Sequence, residues 1–150
     1  MVTMTRLRIS NDRSELDLDL IHRFLSREAY WSRGIPRETV ERAIAGSLCF
    51  GGYLGDAGQV AFARVVTDGA TFGYLADVFV LPGHRGRGHG KQLVAAVMEH
   101  PQLRGLRRFL LATSDAHGLY AQFGFAALAR PQTLMELLRP DIYQSAAASA

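Results

Sequence analysis

The sequence predicts a single α/β domain on a mixed sheet with an antiparallel first part, in the order β-α-α-β-β-β-α-β-α-β. Three observations predict it. Apolar runs separated by turn residues form a three-strand meander between Leu48 and Val80. Apolar residues recur at helical spacing on both sides of that meander. A glycine-rich turn then joins its last strand to an apolar helix. At 150 residues the chain is long enough to bury a real core as one domain, and it shows no internal repeat or second domain.

Taken in order, Thr5 to Ile9 is a short strand. Leu16, Leu20, Phe24 and Leu25 follow at helical spacing, with Ser14 or Asn11 as cap. Trp31 to Ile35 reads as a connection. Pro36 opens a second helix carrying Val40 and Ile44, and Gly46 ends it. Leu48 to Tyr53, Gln59 to Thr67 and Phe72 to Val80 are the meander strands, with turns at Gly55-Asp56-Ala57-Gly58 and Asp68-Gly69. A helix runs from about Gly88 to His100 with Leu93, Val94, Val97 and Met98 on its buried face, and Pro101 stops it. Arg108 to Ala112 is a strand and Ala116 to Phe123 a short helix. Phe125 to Leu128 and Leu134 to Leu138 are expected as closing strands, and the tail Ser145 to Ala150 as mobile.

The segment from Val78 to Leu93 carries most of the functional information. After Pro82, glycines at 86, 88 and 90 let the backbone turn and bring its N–H groups close to a ligand with no Cβ in the way. At a helix start those N–H groups lack intrahelical partners and the dipole is positive, which suits a phosphate or pyrophosphate. Arg85 and Arg87 can add charge-assisted bonds to the same anion. A Walker A loop is excluded, because residue 85 is arginine where its first glycine belongs and residue 92 is glutamine. A Rossmann fingerprint is excluded by the spacing of Gly86, Gly88 and Gly90 and by their position past mid-chain.

The pattern R-x-x-G-x-G at Arg85, Gly88 and Gly90, preceded by Val80 and Pro82, resembles the pyrophosphate loop of the GNAT (Gcn5-related N-acetyltransferase) family. Ala116-x-x-Leu119-Tyr120 followed by Gly124-Phe125 resembles that family's A-x-x-L-Y-x-x-x-G-F element, about one βαβ unit further on. With the matching element order, the resemblance covers roughly Thr5 to Leu138 and implies a GNAT-type sheet and acetyl-CoA as co-substrate.

The resemblance assigns roles residue by residue. Backbone N–H groups over Gly86, Arg87, Gly88, His89, Gly90 and Lys91 would hold the pyrophosphate, while Val78, Phe79 and Val80 would offer backbone bonds to the pantetheine arm. Tyr120 matches the general acid, whose phenol can protonate a departing thiolate; the competing reading is an aromatic packed on the adjacent strand. Asp77 is either an acceptor for the amine's proton or a bulge aspartate with a structural bond, and Tyr74 is a weaker candidate in the same region. Tyr30 and Trp31, with Arg33 nearby, fall where relatives border the acceptor, either stacking on substrate or serving as half-buried connectors. Thr113 stands where the family often has an asparagine that holds the pantetheine, with Ser114 or Asp115 available to cap the short helix.

Composition narrows the rest. Hydrophobic residues make up 48% and charged residues 21%, as in soluble globular domains. No apolar run approaches a membrane span and Met1 to Ser10 does not read as a signal peptide, so a cytoplasmic protein is expected. Cys49 is the only cysteine; it lies in an apolar strand and reads as core rather than nucleophile. The five histidines show no metal-ligand spacing, so no metal is expected; His84 and His89 flank the loop, and His117 lies one helical turn before Tyr120. The net charge of +3 comes from scattered arginines, which fits an anionic co-substrate better than a nucleic-acid face.

The expected activity is therefore N-acetyl transfer from acetyl-CoA to an amine of a small molecule or peptide, by direct attack in a ternary complex. The alternative is a non-catalytic acyl-CoA-binding or sensing module, against which the presence of both Tyr120 and Asp77 argues. The resemblance also allows a homodimer, because relatives often pair through their last strands or helices.

Overall fold

The computed structural model describes residues 6–144. The predicted strand start at Thr5 and the tail Ser145 to Ala150 lie outside them. Five strands form one sheet in sequence order: β1 (Arg8–Ser10), β2 (Leu48–Leu54), β3 (Gly58–Thr67), β4 (Phe72–Val80) and β5 (Arg108–Leu111). The first four pair antiparallel and β4 pairs with β5 in parallel, the mixed sheet expected of the sequence. The helices are α1 (Leu18–Arg23), α2 (Arg37–Ala45), α3 (His89–Glu99) and α4 (His117–Ala121).

The alternation of each strand divides the core between the two sheet faces. On one face Leu93, Val94 and Val97 of α3 pack with Ala61, Ala63, Val65 and Leu75. On the other, Ile21, Val40 and Ile44 of the first two helices cover Cys49, Phe62 and Phe79. Phe24 stacks on Phe79 with ring centroids 4.0 Å apart, which fixes the first helical region against β4. Cys49 is 2% exposed, and burial pushes its thiol pKa up, as befits a core residue.

The first helix is shorter than its apolar spacing predicts. Asp12 caps a 3-10 turn at Arg13–Glu15, Leu16 is extended, and Asp17 caps α1 by accepting from the Leu20 N–H at 3.1 Å. Neither Ser14 nor Asn11 serves as the cap; two successive aspartates split the run instead. The Asp17 N–H donates to Oε1 of buried Gln59 at 2.7 Å, tying the helix start to β3. After α1 the chain widens into a π turn over Phe24–Glu28, which keeps Phe24 and Leu25 in the core and delivers Tyr30 and Trp31 to one end of the sheet.

The closing strands require correction. Among the described residues no strand follows α4: 125–128 and 134–138 are free of β pairing, with a 3-10 turn at Pro131–Thr133 between them. Their apolar composition suits strands, but a strand needs a paired neighbour and none among the described residues pairs with them.

Candidate functional site

The site begins where β4 and β5 part. Their parallel pairing runs from Phe72 with Arg108 to Leu75 with Leu111 and stops, although β4 continues to Val80. The cause lies on the other edge of β4. Arg64 pairs with Ala76 and Phe62 with Phe79, so Ala63 alone opposes both Asp77 and Val78. This is a β-bulge, and Asp77 within it has φ of 54°, the one positive-φ non-glycine among the described residues. Aspartate tolerates that region better than most side chains. The bend opens a wedge between the end of β4 and the chain that follows β5.

Strand alternation decides which backbone groups face the wedge. The Leu81 N–H donates to the Val60 carbonyl at 2.8 Å, so residues 79 and 81 turn their backbone toward β3 while Val78 and Val80 turn theirs outward. Phe79, expected among the pantetheine contacts, thus has its backbone toward β3 and its ring in the core. Val80 already accepts from Arg85 Nε at 2.9 Å, which folds the arginine back along the loop.

At the far end of β4, Pro82–His84 form a 3-10 turn and the glycine loop follows. Gly86 and Gly88 have φ of 78° and 82°, and Gly88 caps α3 in the left-handed conformation. From Gly86 to Lys91 no backbone N–H has a hydrogen-bond partner among the described residues; the first loop-to-helix bond is Gln92 N–H to the Gly88 carbonyl. Six successive free donors at a helix start form an anion cradle, and a Cβ built at Gly86 or Gly88 would meet nothing within 4 Å. Arg87 and Lys91 are exposed beside it. His89 contributes its N–H alone, because its ring is 2% exposed with neither nitrogen partnered.

Opposite the wedge stands Tyr120 on α4, 8% exposed, its ring edge-on to Phe125. Burial pushes its phenol pKa above the ordinary value, and the charge of Asp115 adds to the rise. The proton is therefore held firmly at neutral pH. Thr113 Oγ1 accepts from the Ala116 N–H at 3.0 Å and from the Asp115 N–H at 3.4 Å. Thr113 thus holds the turn into α4 that was assigned to Ser114 or Asp115. His117, although one turn before Tyr120, is exposed.

The remaining wall is a network. Trp31 Nε1 donates to Asp77 Oδ1 at 2.8 Å, and Arg64 Nε donates to Asp77 Oδ2 at 2.6 Å. Arg64 also donates to Ser47 Oγ at 3.2 Å. The Tyr30 ring meets Trp31 edge-on at 5.1 Å, and its hydroxyl bonds Ser114 Oγ at 2.7 Å across the cleft. Tyr30, Trp31, Arg64, Asp77 and Ser114, with Tyr74, Val78, Thr113 and Tyr120, line a cavity of about 700 Å³. Arg33 is exposed and does not line it. Arg64 was not singled out from the sequence, yet it is the one charged residue within the strand Gly58–Thr67, a signal that could have found it.

Among the described residues no group of three or more His, Cys, Asp or Glu side chains is placed to hold a metal ion, and no helix is long and apolar enough to cross a membrane.

Residues 18–125 match the family described as acetyltransferase (GNAT) family. A Gibberella zeae protein that is an acetyltransferase by name is 33% identical over 135 residues, covering 76% of this chain and 75% of its own. The crystal structure of a GNAT-family protein from Xanthomonas campestris pv. campestris superposes with a TM-score of 0.90 at 59% identity, covering 94% of this chain and 99% of that one. Glucosamine-6-phosphate N-acetyltransferase from Arabidopsis thaliana shares the fold with a TM-score of 0.61 at 15% identity, over 89% of this chain and 97% of that one.

Proposed function

This chain belongs to the GNAT acetyltransferase family, and from that premise we propose that it transfers an acetyl group from acetyl-CoA to an amine of a small molecule or peptide, by direct attack in a ternary complex. The observation that carries the reading is the run of six free backbone donors from Gly86 to Lys91, which follows the strand whose Val78 lines one cavity with the phenol of Tyr120.

The N–H groups from Gly86 to Lys91 would bind the pyrophosphate, with Arg85, Arg87 and Lys91 adding charge. Outward groups of Val78 and Val80 would orient the pantetheine arm, and the Val78 N–H is the candidate donor to the thioester oxygen. Acetyl-CoA supplies the activated acetyl group. Tyr120 gives its proton to the sulfur as the C–S bond breaks, and its raised pKa keeps that proton available.

Asp77 reads as a positioning residue rather than a base, since both carboxylate oxygens already accept from Trp31 and Arg64. It holds the Trp31 indole upright at the cavity wall. Tyr30, Trp31 and Tyr74 suit an acceptor with a flat or apolar body next to its amine.

Isothermal titration of acetyl-CoA into the purified protein, beside an Arg85→Ala, Gly88→Val double variant, tests the co-substrate site. An amine panel read by CoA thiol release, with Tyr120→Phe as control, tests turnover. Binding lost in the double variant with amine-dependent thiol release is the expected result. Absence of binding overturns the reading, and binding with background thiol release across the panel overturns its catalytic half.

A further inference from the structure

The charged side chains lining the main cavity are Arg64, Asp77 and Asp115. Two of them cancel. Arg64 Nε donates to Asp77 Oδ2 at 2.6 Å, and the other oxygen of Asp77 accepts from Trp31. The guanidinium also donates to Ser47 Oγ, so this pair offers a ligand little net charge of either sign.

Asp115 is different. It is exposed, and it stands in no ion pair among the described residues. The turn into α4 is held by Thr113 Oγ1, which accepts from the N–H groups of Asp115 and Ala116, so the Asp115 carboxylate is not used as a cap. Its charge reaches Tyr120, whose phenol pKa it helps to raise. The cavity therefore carries one uncompensated negative charge, placed near Tyr120.

Aromatic rings stand next to that carboxylate. The Tyr30 hydroxyl bonds Oγ of Ser114, the residue before Asp115, which brings the Tyr30 side chain across the cleft to the same rim. Trp31 meets the Tyr30 ring edge-on, and the two are 45% and 59% exposed. The face of an aromatic ring is negative and attracts a cation, and a free carboxylate beside it supplies a full charge. An acceptor bearing a carboxylate or phosphate meets the reverse, since the one cation lining this cavity is already paired with Asp77.

We propose that the acceptor carries a second positive charge: a diamine or guanidino-amine with a short flat or apolar body, whose distal cation sits between Asp115 and the Tyr30 and Trp31 rings while its reacting amine lies near Val78 and Tyr120. The fate of the reacting amine rests on the acetyl-transfer reading, whereas the cation subsite is a matter of binding alone.

Acceptors built on one ring test it. The probes p-xylylenediamine, p-ethylbenzylamine and p-(aminomethyl)phenylacetic acid place a cation, no charge and an anion at matched distance from the amine. Trp31 is the only tryptophan, so quenching of its fluorescence, with and without CoA present, reads binding without turnover. At low salt the diamine should bind about tenfold more tightly than the ethyl compound, and the acid more weakly than either. Asp115→Asn should bring the ratio of diamine to ethyl compound to about one, and Tyr30→Leu should lower it about threefold. The ratio is the readout because removing the Asp115 charge also acts on Tyr120, which affects every acceptor alike. Equal binding of the diamine and the ethyl compound overturns the proposal, as does tighter binding of the acid, no binding of any probe, or a ratio unchanged in Asp115→Asn. CoA thiol release with the same probes separates this proposal from the reading beneath it. Release without charge preference sinks the subsite alone, whereas preferential binding of the diamine without release supports the subsite and sinks catalysis.

Discussion

Substitution of Asp77 separates its two candidate roles, and the structure sets the magnitudes. The Arg64–Asp77 pair is mostly withdrawn from water, with side chains 19% and 10% exposed and Nε to Oδ2 at 2.6 Å. Breaking a fully buried pair costs about 3–5 kcal/mol. Asp77→Asn keeps an acceptor for Trp31 or Arg64 and suits the φ of 54°, so its cost should be lower, about 2 kcal/mol. Asp77→Ala loses both bonds and adds left-handed strain of about 1 kcal/mol, giving a total near ~4 kcal/mol. For a chain of this size the asparagine variant should lower Tm by about 4–8 °C. Thermal unfolding reads that, and steady-state kinetics on an accepted amine reads the rest. A positioning residue predicts kcat within about tenfold and a raised KM for the amine as Trp31 loosens. A kcat loss beyond about 100-fold with Tm and KM unchanged would refute positioning and restore Asp77 as the base.

Three other outcomes follow from the geometry. Tyr120→Phe should lower kcat by about 10²–10³-fold with acetyl-CoA affinity little changed; unaltered turnover would assign the proton to another donor. Gly88→Ala should lower stability by about 1–2 kcal/mol, since its φ of 82° suits glycine while the space around it is open. Calorimetry should show acetyl-CoA binding weakened by at least about tenfold as the donor array shifts, and intact binding would count against the cradle. Tyr53, its hydroxyl buried without a partner, has its pKa pushed up to about 12 by burial. A folded-state pKa above the unfolded one means this contribution is present below pH ~10 and lost as pH rises toward 12. Tyr53→Phe should flatten that part of the alkaline stability curve; an unchanged slope would place the loss elsewhere.

Local chemistry made much of the fold legible. The strand Phe72–Val80 was read to its ends, because Asp68-Gly69 and Pro82 bracket it with turn residues. The loop and α3 were equally plain, glycines and a dipole end being local signals. What escaped was long-range. Nothing in the string Leu75-Ala76-Asp77-Val78 announces a bulge, which arises from the register against β3. The Tyr30 hydroxyl meets Ser114 across 84 positions of sequence, and Arg64 reaches Asp77 from a neighbouring strand. The last segments read as strands because their residues suit strands, but composition does not say whether a neighbouring strand lies alongside to pair with them.

The parting of β4 from β5 has a thermodynamic consequence. Past Leu75 and Leu111 the sheet is interrupted, so the half carrying α4 hangs on a short parallel seam. A ligand whose amides met the outward groups of Val78 and Val80 would serve as a guest strand, mending the interrupted ladder with atoms that are not protein. Folding and occupancy would then be one equilibrium. At a ligand concentration 100 times Kd the added stability is about 2.7 kcal/mol, enough for the lifetime of the protein in a cell to track the supply of its ligand.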